Sequence, residues 1–170
     1  MTVEIRALLP GDDRRSFRSG DDALDLYFHR YAGQNHFRHH IGVTYVAVEE
    51  PVILGFLTVS ASQLDAELVA PSRRLPPYPV PVLRIARLAS SEASRGRGVG
   101  KALLRFAVEL AEKMRDEVGC VGMVVDAKPP AIGFYRPFGF VEIGLVEGTS
   151  PALPRPVPMF MSLSSVPRKP

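Results

Sequence analysis

Two segments of the chain place apolar residues at the spacing of a helix. In the first, Leu24, Tyr27, Phe28 and Tyr31 fall at positions i, i+3, i+4 and i+7, which predicts a helix from about Asp21 to Phe37. The second keeps its period for about four turns through Val99, Ala102, Leu103, Phe106, Ala107, Leu110, Ala111 and Met114. Each helix therefore has an apolar face that packs against a core.

Runs of β-branched and apolar residues predict strands around these helices. They are Val3–Leu9, Val43–Val48, Val52–Ser60, Val82–Ala89, Cys120–Asp126, a strand from Phe140 and a last one near Val157–Leu163. The turn Glu49-Glu50-Pro51 joins the second and third runs as a hairpin. The proline-rich stretch Pro71–Pro81 is expected to be a loop. A short helix is expected at Ala131–Arg136, where Pro137 should keep Arg136 outside the α region.

The order of these elements predicts the fold class. A strand, the long helix and a second buried strand follow one another, as in a parallel crossover unit. We expect an α/β (α+β) fold in which helices flank a mixed central sheet of about six or seven strands. Because 170 residues is the length of one domain, we expect a single domain over residues 1–163 and a frayed tail over 164–170.

Composition excludes several classes of protein. Hydrophobic residues make up 46% of the chain and charged residues 23%, so it is expected to fold and not to stay disordered. The chain opens without a signal-peptide pattern, and no apolar run reaches the roughly 18 residues that span a bilayer, which predicts a cytoplasmic protein without a membrane segment. Cys120 lies in an apolar run and is expected to be a buried, inert thiol.

The four histidines do not form a metal-binding pattern. His29, His36, His39 and His40 cluster at the end of the first predicted helix, but no cysteine is nearby and the last three would not all point one way. Contact with the helix C-terminus or with RNA phosphate is the better expectation, and no metal is predicted. For Asp126, a role in orienting substrate and a plain turn-forming role both stay open.

A glycine-rich loop carries the clearest chemical signal: Arg95-Gly96-Arg97-Gly98-Val99-Gly100-Lys101, before the long helix. Unpaired N–H groups at the start of a helix bind anions. Three alternating glycines remove Cβ atoms that would block a phosphate and permit the positive φ angles of an amide nest. A Walker A loop would need glycine at Arg95 and a hydroxyl residue at Ala102, and a dinucleotide loop needs another glycine spacing.

The remaining pattern, Arg-Gly-x-Gly-Val-Gly, resembles the pyrophosphate loop of GNAT acetyltransferases. Val82–Ala89 looks like the family strand before that loop, whose backbone groups bind the pantetheine arm and the thioester carbonyl. Ala131, Phe134-Tyr135 and Phe138-Gly139-Phe140 resemble a later motif of the family. The resemblance implies the GNAT acyl-CoA N-acyltransferase fold, N-acetyltransferase activity and acetyl-CoA as the cofactor.

The resemblance also implies roles for single residues. Cofactor binding would fall on Leu88, Ala89, Arg95, Gly96, Arg97, Gly98, Val99, Gly100 and Lys101. The amide of Leu88, or of a neighbour, would stabilise the oxyanion, and Tyr135 would be the general acid that protonates the departing thiolate. A phenol with a pKa near 10 is protonated at neutral pH. No side chain stands out as a general base, and an α-amino group that titrates near pH 8 is already partly neutral.

A narrower resemblance covers most of the chain, from about Phe17 to Phe140. Phe17-Arg18-Ser19-Gly20, Gly55–Ser60 and Pro79–Ala89 look like segments of the acetyltransferase toxins of type II toxin–antitoxin modules. Those toxins acetylate the amino group of aminoacyl-tRNA, block translation and are held inactive by a ribbon-helix-helix antitoxin. The resemblance therefore implies aminoacyl-tRNA as the acceptor, such an antitoxin as a partner, and a homodimer.

The distribution of charge fits a polyanionic acceptor. The net charge is only +3, but eight basic residues and the single acid Glu92 lie between Pro71 and Arg105. We predict that tRNA is contacted by Arg73, Arg74, Arg84 and Arg87. Two alternatives share the same loop: an ordinary GNAT enzyme that acetylates a small amine or a protein amino group, and a catalytically silent acyl-CoA-binding regulatory protein.

Overall fold

The computed structural model describes residues 3–69, 78–144 and 155–165. The strands are β1 (Glu4–Ala7), β2 (Val43–Glu49), β3 (Val52–Leu64), β4 (Val80–Ser90), β5 (Gly122–Ala127), β6 (Val141–Glu142) and β7 (Val157–Ser162). The α-helices are α1 (Asp22–Leu26), α2 (Ala32–Gln34), α3 (Ala66–Val69), α4 (Val99–Glu117) and α5 (Ile132–Tyr135). Short 3-10 turns lie at Glu92–Ser94, Pro129–Ala131, Arg136–Phe138 and Leu163–Ser165.

The strands form one seven-stranded sheet in the order β1-β2-β3-β4-β5-β7-β6. The pairs β1–β2, β2–β3, β5–β7 and β6–β7 are antiparallel. The predicted hairpin is confirmed, since Glu49 of β2 pairs with Val52 of β3. Strands β4 and β5 are neighbours, and the chain between them contains α4. A seven-stranded sheet with flanking helices confirms the predicted α/β fold class.

The first predicted helix exists but is not a regular α-helix. It begins after Asp21, whose carboxylate accepts from the N–H groups of Ala23 and Leu24, and it runs to His39. Two π-helical stretches, Tyr27–Tyr31 and Asn35–His39, alternate with α1 and α2. His40 ends the helical segment in the left-handed region, at φ 52°. Apolar periodicity predicted the helix but not its π turns.

Strand β4 begins earlier than predicted. It starts at Val80, so the expectation of a loop through Pro81 is wrong for its last two residues, and residues 70–77 lie outside the described ranges. The carbonyl of Pro81 accepts a hydrogen bond of 2.9 Å from the N–H of Val121. Proline lacks only the donor, so it can enter a ladder as an acceptor.

The backbone around Arg136 also differs from the prediction. Arg136 has φ −53° and ψ −45°, inside the α region, although Pro137 follows it. The chain continues from α5 into a 3-10 turn, in which the N–H of Gly139 donates to the carbonyl of Arg136 at 3.0 Å. Gly139 then ends the turn at φ 95°. The steric bias that a proline imposes is modest, and here the turn outweighs it.

Two compact units can be distinguished by their internal contacts. The first, Met1–Ser60 with Ile85–Val108, has an aromatic core in which Phe28 stacks on Phe56 at 4.3 Å. The second, Ala61–Arg84 with Glu109–Pro170, has a core of Leu64, Val69, Val80, Val82, Val124 and Phe160. Cys120 is buried as predicted, and its burial raises the pKa of the thiol. Among the described helices, none combines the length and the apolar character needed to span a bilayer.

Gly55 on β3 lies against the elements that carry the glycine-rich loop. A Cβ atom built on Gly55 would lie 2.8 Å from the carbonyl oxygen of Ala89 in β4 and 2.8 Å from Cγ1 of Val99 in α4. It would also lie 3.0 Å from Cδ1 of Leu103. The end of β4 and the beginning of α4 therefore pack against the bare backbone of β3.

We predict that Gly55→Ala lowers the free energy of unfolding by about 1–3 kcal/mol, because the backbone carbonyl of Ala89 has to move to admit the methyl group. The measurement is urea unfolding followed by circular dichroism. Gly133→Ala is the matched control, since a Cβ atom there meets nothing within 4 Å. A Gly55→Ala protein as stable as the control would contradict this account of the packing.

Candidate functional site

The glycine-rich loop adopts the positive φ angles that an amide nest requires at two of its three glycines. Gly96 has φ 82° and Gly98 has φ 77°. Gly100 instead lies in the first turn of α4. A Cβ atom on Gly96 or Gly98 would meet no protein atom within 4 Å, so the space beside both residues is open. Glycine is needed at these two positions for backbone conformation and not for internal packing.

Backbone N–H groups at the beginning of α4 directly follow this loop and have no helical acceptors. The first hydrogen bond of the helix joins the N–H of Ala102 to the carbonyl of Gly98, at 3.0 Å. The N–H groups of Val99, Gly100 and Lys101 precede it and have no intrahelical partner. Together with the positive end of the helix dipole, they are donors suited to a phosphate or pyrophosphate.

The arginines of the loop are bound to the protein itself. Arg97 forms an ion pair of 2.7 Å with Glu49, and this contact raises the pKa of Arg97 while it lowers the pKa of Glu49. Arg95 donates from Nη2 to the carbonyl oxygen of Ser19 at 2.9 Å. Both side chains hold the conformation of the loop, so the backbone is left to meet the anion. Lys101 is exposed.

Ser19 connects the loop to the first helical segment. Its N–H and its hydroxyl both donate to Oδ1 of the buried Asp25, at 2.9 and 2.6 Å. The neighbouring Gly20 has φ 92°, and a Cβ atom on it would lie 2.7 Å from Oε1 of Glu92 and 2.8 Å from Nη2 of Arg95. Ser19 and Gly20 therefore support the loop from the side of α1.

Two buried serines hold the turn before the loop, and no pattern in the sequence singles them out. Ser94 is 1% exposed, and its hydroxyl donates to the carbonyl oxygen of Leu54 in β3 at 3.0 Å. The N–H of Ser91 donates to the same carbonyl at 2.7 Å. These bonds attach the Glu92–Ser94 turn to β3. The only available signal was that both serines lie within five residues before Gly96, the first glycine of the loop.

Leu88 and Ala89 occupy the end of β4. Ala89 is buried in the core of the first unit, and Leu88 is partly exposed. The resemblance predicts that backbone groups at the end of the strand before the loop bind the cofactor. Leu88 and Ala89 lie at that place, a few residues before the loop. The packing of the Ala89 carbonyl against Gly55 fixes the backbone of this segment.

Tyr135 stands at the C-terminal end of α5 with its ring buried. Its side chain packs edge-on against Phe134 at 5.1 Å and against Phe140 at 5.3 Å. Burial raises the pKa of the Tyr135 phenol, because the charged phenolate would be poorly solvated. Within the described ranges no other residue forms a hydrogen bond with its hydroxyl. The side chain is therefore a protonated donor over a wide pH range.

The arginines predicted to bind tRNA have different surroundings. Arg84 forms an ion pair of 3.0 Å with Asp126, so Asp126 is an ion-pair partner inside β5 and does not form a turn. Arg87 is exposed and lies over the ring of Tyr27, with its guanidinium carbon 4.6 Å from the ring centroid. Arg73 and Arg74 lie outside the described residues.

Two of the four histidines, His29 and His36, contact the backbone. Nδ1 of His36 accepts a hydrogen bond from the N–H of Thr44 at 3.1 Å, and burial lowers the pKa of His36. Nε2 of His29 lies 2.8 Å from the carbonyl oxygen of Phe17. Among the described residues, no group of three or more His, Cys, Asp or Glu side chains is arranged to hold a metal ion.

Comparisons with known proteins agree with this fold. A tRNA-acetylating toxin of Mycobacterium tuberculosis (strain ATCC 25618 / H37Rv) is 34% identical to the chain over 137 residues, which cover 79% of this chain and 82% of that protein. The solved structure of AtaT complexed with acetyl-methionyl-tRNAfMet has a TM-score of 0.84 at 22% identity and covers 97% of each chain. A tyrosine-to-phenylalanine mutant of the toxin AtaT, bound to the C-terminus of the antitoxin AtaR, has a TM-score of 0.79 at 23% identity, over 97% of this chain and 94% of that one.

The solved structures, at these identities, establish the fold. The activity follows from the family, whose model, the acetyltransferase (GNAT) family, matches residues 5–140. The open glycine loop at the start of α4 fits the pyrophosphate of acetyl-CoA, the cofactor of this family. The chain belongs to the acetyltransferase (GNAT) family and is an acetyl-CoA-dependent N-acetyltransferase.

Proposed function

We propose that this enzyme acetylates the amino group of aminoacyl-tRNA and is a toxin that inhibits translation. One observation carries the proposal: the chain is 34% identical, over 79% of its length, to a protein named as a tRNA-acetylating toxin. The fold is also that of AtaT, which has been solved with acetyl-methionyl-tRNAfMet. An ordinary GNAT enzyme that acetylates a small amine is the alternative that the test below has to exclude.

Each predicted site residue has a role in this proposal. Bound acetyl-CoA supplies the thioester whose acetyl group is transferred. The amides at the beginning of α4 bind its pyrophosphate, and Arg95 and Arg97 keep the loop in the conformation that presents them. The backbone of Leu88 and Ala89 orients the reacting carbonyl and stabilises negative charge on its oxygen. Tyr135 donates a proton to the leaving sulfur; its phenol is protonated at neutral pH, and burial raises its pKa further.

The α-amino group of an aminoacyl ester suits an enzyme without an evident general base. Such a group titrates near pH 8, so a useful fraction is neutral and nucleophilic under ordinary conditions. Arg73, Arg74, Arg84 and Arg87 are proposed to contribute to tRNA binding. Of the two arginines that the structure describes, Arg87 is the more accessible, since Asp126 already compensates the charge of Arg84.

The proposal extends to assembly and location. AtaT has been solved with the C-terminus of an antitoxin, which supports an antitoxin partner for this chain. We infer that this partner is of the ribbon-helix-helix type, that the enzyme is a cytoplasmic homodimer, and that residues 1–163 act as a single domain.

The substrate is tested by incubating the protein with labelled acetyl-CoA and total charged tRNA, with deacylated tRNA and a panel of small amines in parallel. We expect label on charged tRNA only, and growth arrest when the protein is expressed without an antitoxin. If the protein labels a small amine efficiently and leaves charged tRNA unlabelled, the proposal that it is a toxin is wrong. Its assignment as an acetyltransferase would still stand.

The loop is tested by Gly98→Val. A β-branched residue is strained at φ 77° by about 1–3 kcal/mol, and its side chain enters the space of the pyrophosphate, so acetyl-CoA binding should be lost in calorimetry. Gly11→Val is the matched control, because a Cβ atom there also meets nothing within 4 Å. Unchanged affinity in Gly98→Val would show that the pyrophosphate binds elsewhere.

Tyr135→Phe tests the proposed acid. Turnover should fall by roughly 10²- to 10⁴-fold, the usual contribution of a positioned acid, with little change in acetyl-CoA affinity because the ring contacts with Phe134 and Phe140 persist. Since burial raises the pKa of Tyr135, wild-type activity should show no loss from its ionisation up to pH about 10. Tyr78→Phe, at an exposed tyrosine, is the control. Near wild-type turnover in Tyr135→Phe, with chemistry rate-limiting, would assign Tyr135 a structural role.

A further inference from the structure

A long stretch of the first unit contains no acidic residue. From Leu26 to Val48 the chain has two arginines, Arg30 and Arg38, and all four of its histidines, but no Asp or Glu. The two π-helical stretches lie inside this range. The local charge is therefore positive at neutral pH, and it increases if a histidine is protonated.

Each π-helical stretch contains an exposed aromatic residue next in sequence to an exposed arginine. The first stretch carries Arg30 and Tyr31, and the second carries Phe37 and Arg38. Tyr31 is 44% exposed and Phe37 is 36% exposed. We call these four residues the π-helical face. The same helical segment has a buried side, where Phe28 and Ala32 are fully enclosed. The exposed rings are thus not part of the core on which the segment packs.

The arginines of the π-helical face differ from the arginines that are held in ion pairs. Arg6, Arg84, Arg97, Arg115 and Arg136 each pair with a carboxylate. Within the described ranges, neither Arg30 nor Arg38 forms an ion pair or a hydrogen bond through its side chain. Unpaired exposed guanidinium groups and exposed rings on one helical segment are suited to nucleic acid, because phosphates attract the charge and unpaired bases stack on the rings.

We propose that the π-helical face binds the tRNA acceptor, with Arg30 and Arg38 at backbone phosphates and with Tyr31 and Phe37 against unpaired bases. This rests on the proposed function. An acidic protein segment would also meet the charges, but RNA is favoured because the acceptor is itself a polyanion with unpaired bases. The proposed contact lies outside the segment from Pro71 to Arg105, in which basic residues cluster along the sequence.

The charge contribution is tested with Arg30→Glu/Arg38→Glu in the full chain. Affinity for total charged tRNA, measured over a salt series, should fall at least tenfold, and the slope of log K against log salt should decrease by about 1.4–1.8 for two lost phosphate contacts. Acetyl-CoA affinity should not change. The control is Lys113→Glu/Arg115→Glu on α4, which makes the same change of charge elsewhere. Arg30→Gln/Arg38→Gln repeats the test if charge reversal prevents folding.

The aromatic contribution is tested separately with Tyr31→Ala/Phe37→Ala. Loss of base stacking should weaken tRNA binding by roughly 5- to 100-fold per base without changing the salt slope, because no charge is removed. The KM for charged tRNA should rise in both variants, while kcat at saturating tRNA stays close to that of the wild type. A merely structural defect would instead lower thermal stability and acetyl-CoA affinity as well.

The outcomes separate this inference from the proposed function. If wild type neither binds nor labels charged tRNA, both fail. If wild type labels tRNA and the two variants behave like the α4 control, the π-helical face has no part in RNA binding and the proposed function stands. If the variants keep tRNA affinity but lose binding of poly-L-glutamate, the face serves an acidic protein segment and the RNA assignment is wrong.

Discussion

At the beginning of α4, backbone N–H groups have no acceptor within the helix, and the loop before them has to leave them uncovered. Positive φ angles at Gly96 and Gly98 turn the chain so that this can happen. The side chains of Arg95 and Arg97 are bound to the Ser19 carbonyl and the Glu49 carboxylate, which holds the loop in this conformation. An anion that binds here meets donors already in position, so little reorganisation opposes binding.

The loop keeps its shape because β3 supports it from behind. Ser91 and Ser94 both bond to the Leu54 carbonyl, and the next residue, Gly55, allows the end of β4 and the start of α4 to approach the strand closely. A side chain at position 55 would separate these elements. Because the donors are backbone groups, their placement depends on this packing more than on the charge of nearby residues. Core packing and anion binding thus depend on the same few residues.

The sequence predicted features that repeat or that have one possible conformation. The apolar period from Val99 to Met114 located α4, and alternating glycines indicated the loop. The roles of Ser94 and Ser19 could not be predicted, since a serine bonded to a distant carbonyl has no periodic signature. The π turns could not be predicted either. The spacing of the apolar residues is compatible with an extra residue in a turn, so it does not distinguish a π turn from an α turn. The expectations for Pro81 and Arg136 were wrong because they treated the local steric preference of proline as decisive. The strand ladder outweighs it at Pro81, and the 3-10 turn outweighs it at Arg136.

Charge shows why clustering along the sequence differs from clustering on a surface. The basic residues between Pro71 and Arg105 first indicated a polyanion site, yet Arg84 and Arg97 are paired with carboxylates that come from β5 and β2. A paired arginine attracts phosphate weakly, because its partner cancels much of its field and a phosphate has to displace that partner. Arg30 and Arg38 are eight positions apart and form no cluster along the sequence, but no carboxylate of the described residues neutralises them. Binding of a polyanionic acceptor depends on the cations that no neighbouring carboxylate neutralises. The number of basic residues that cluster along the sequence matters less.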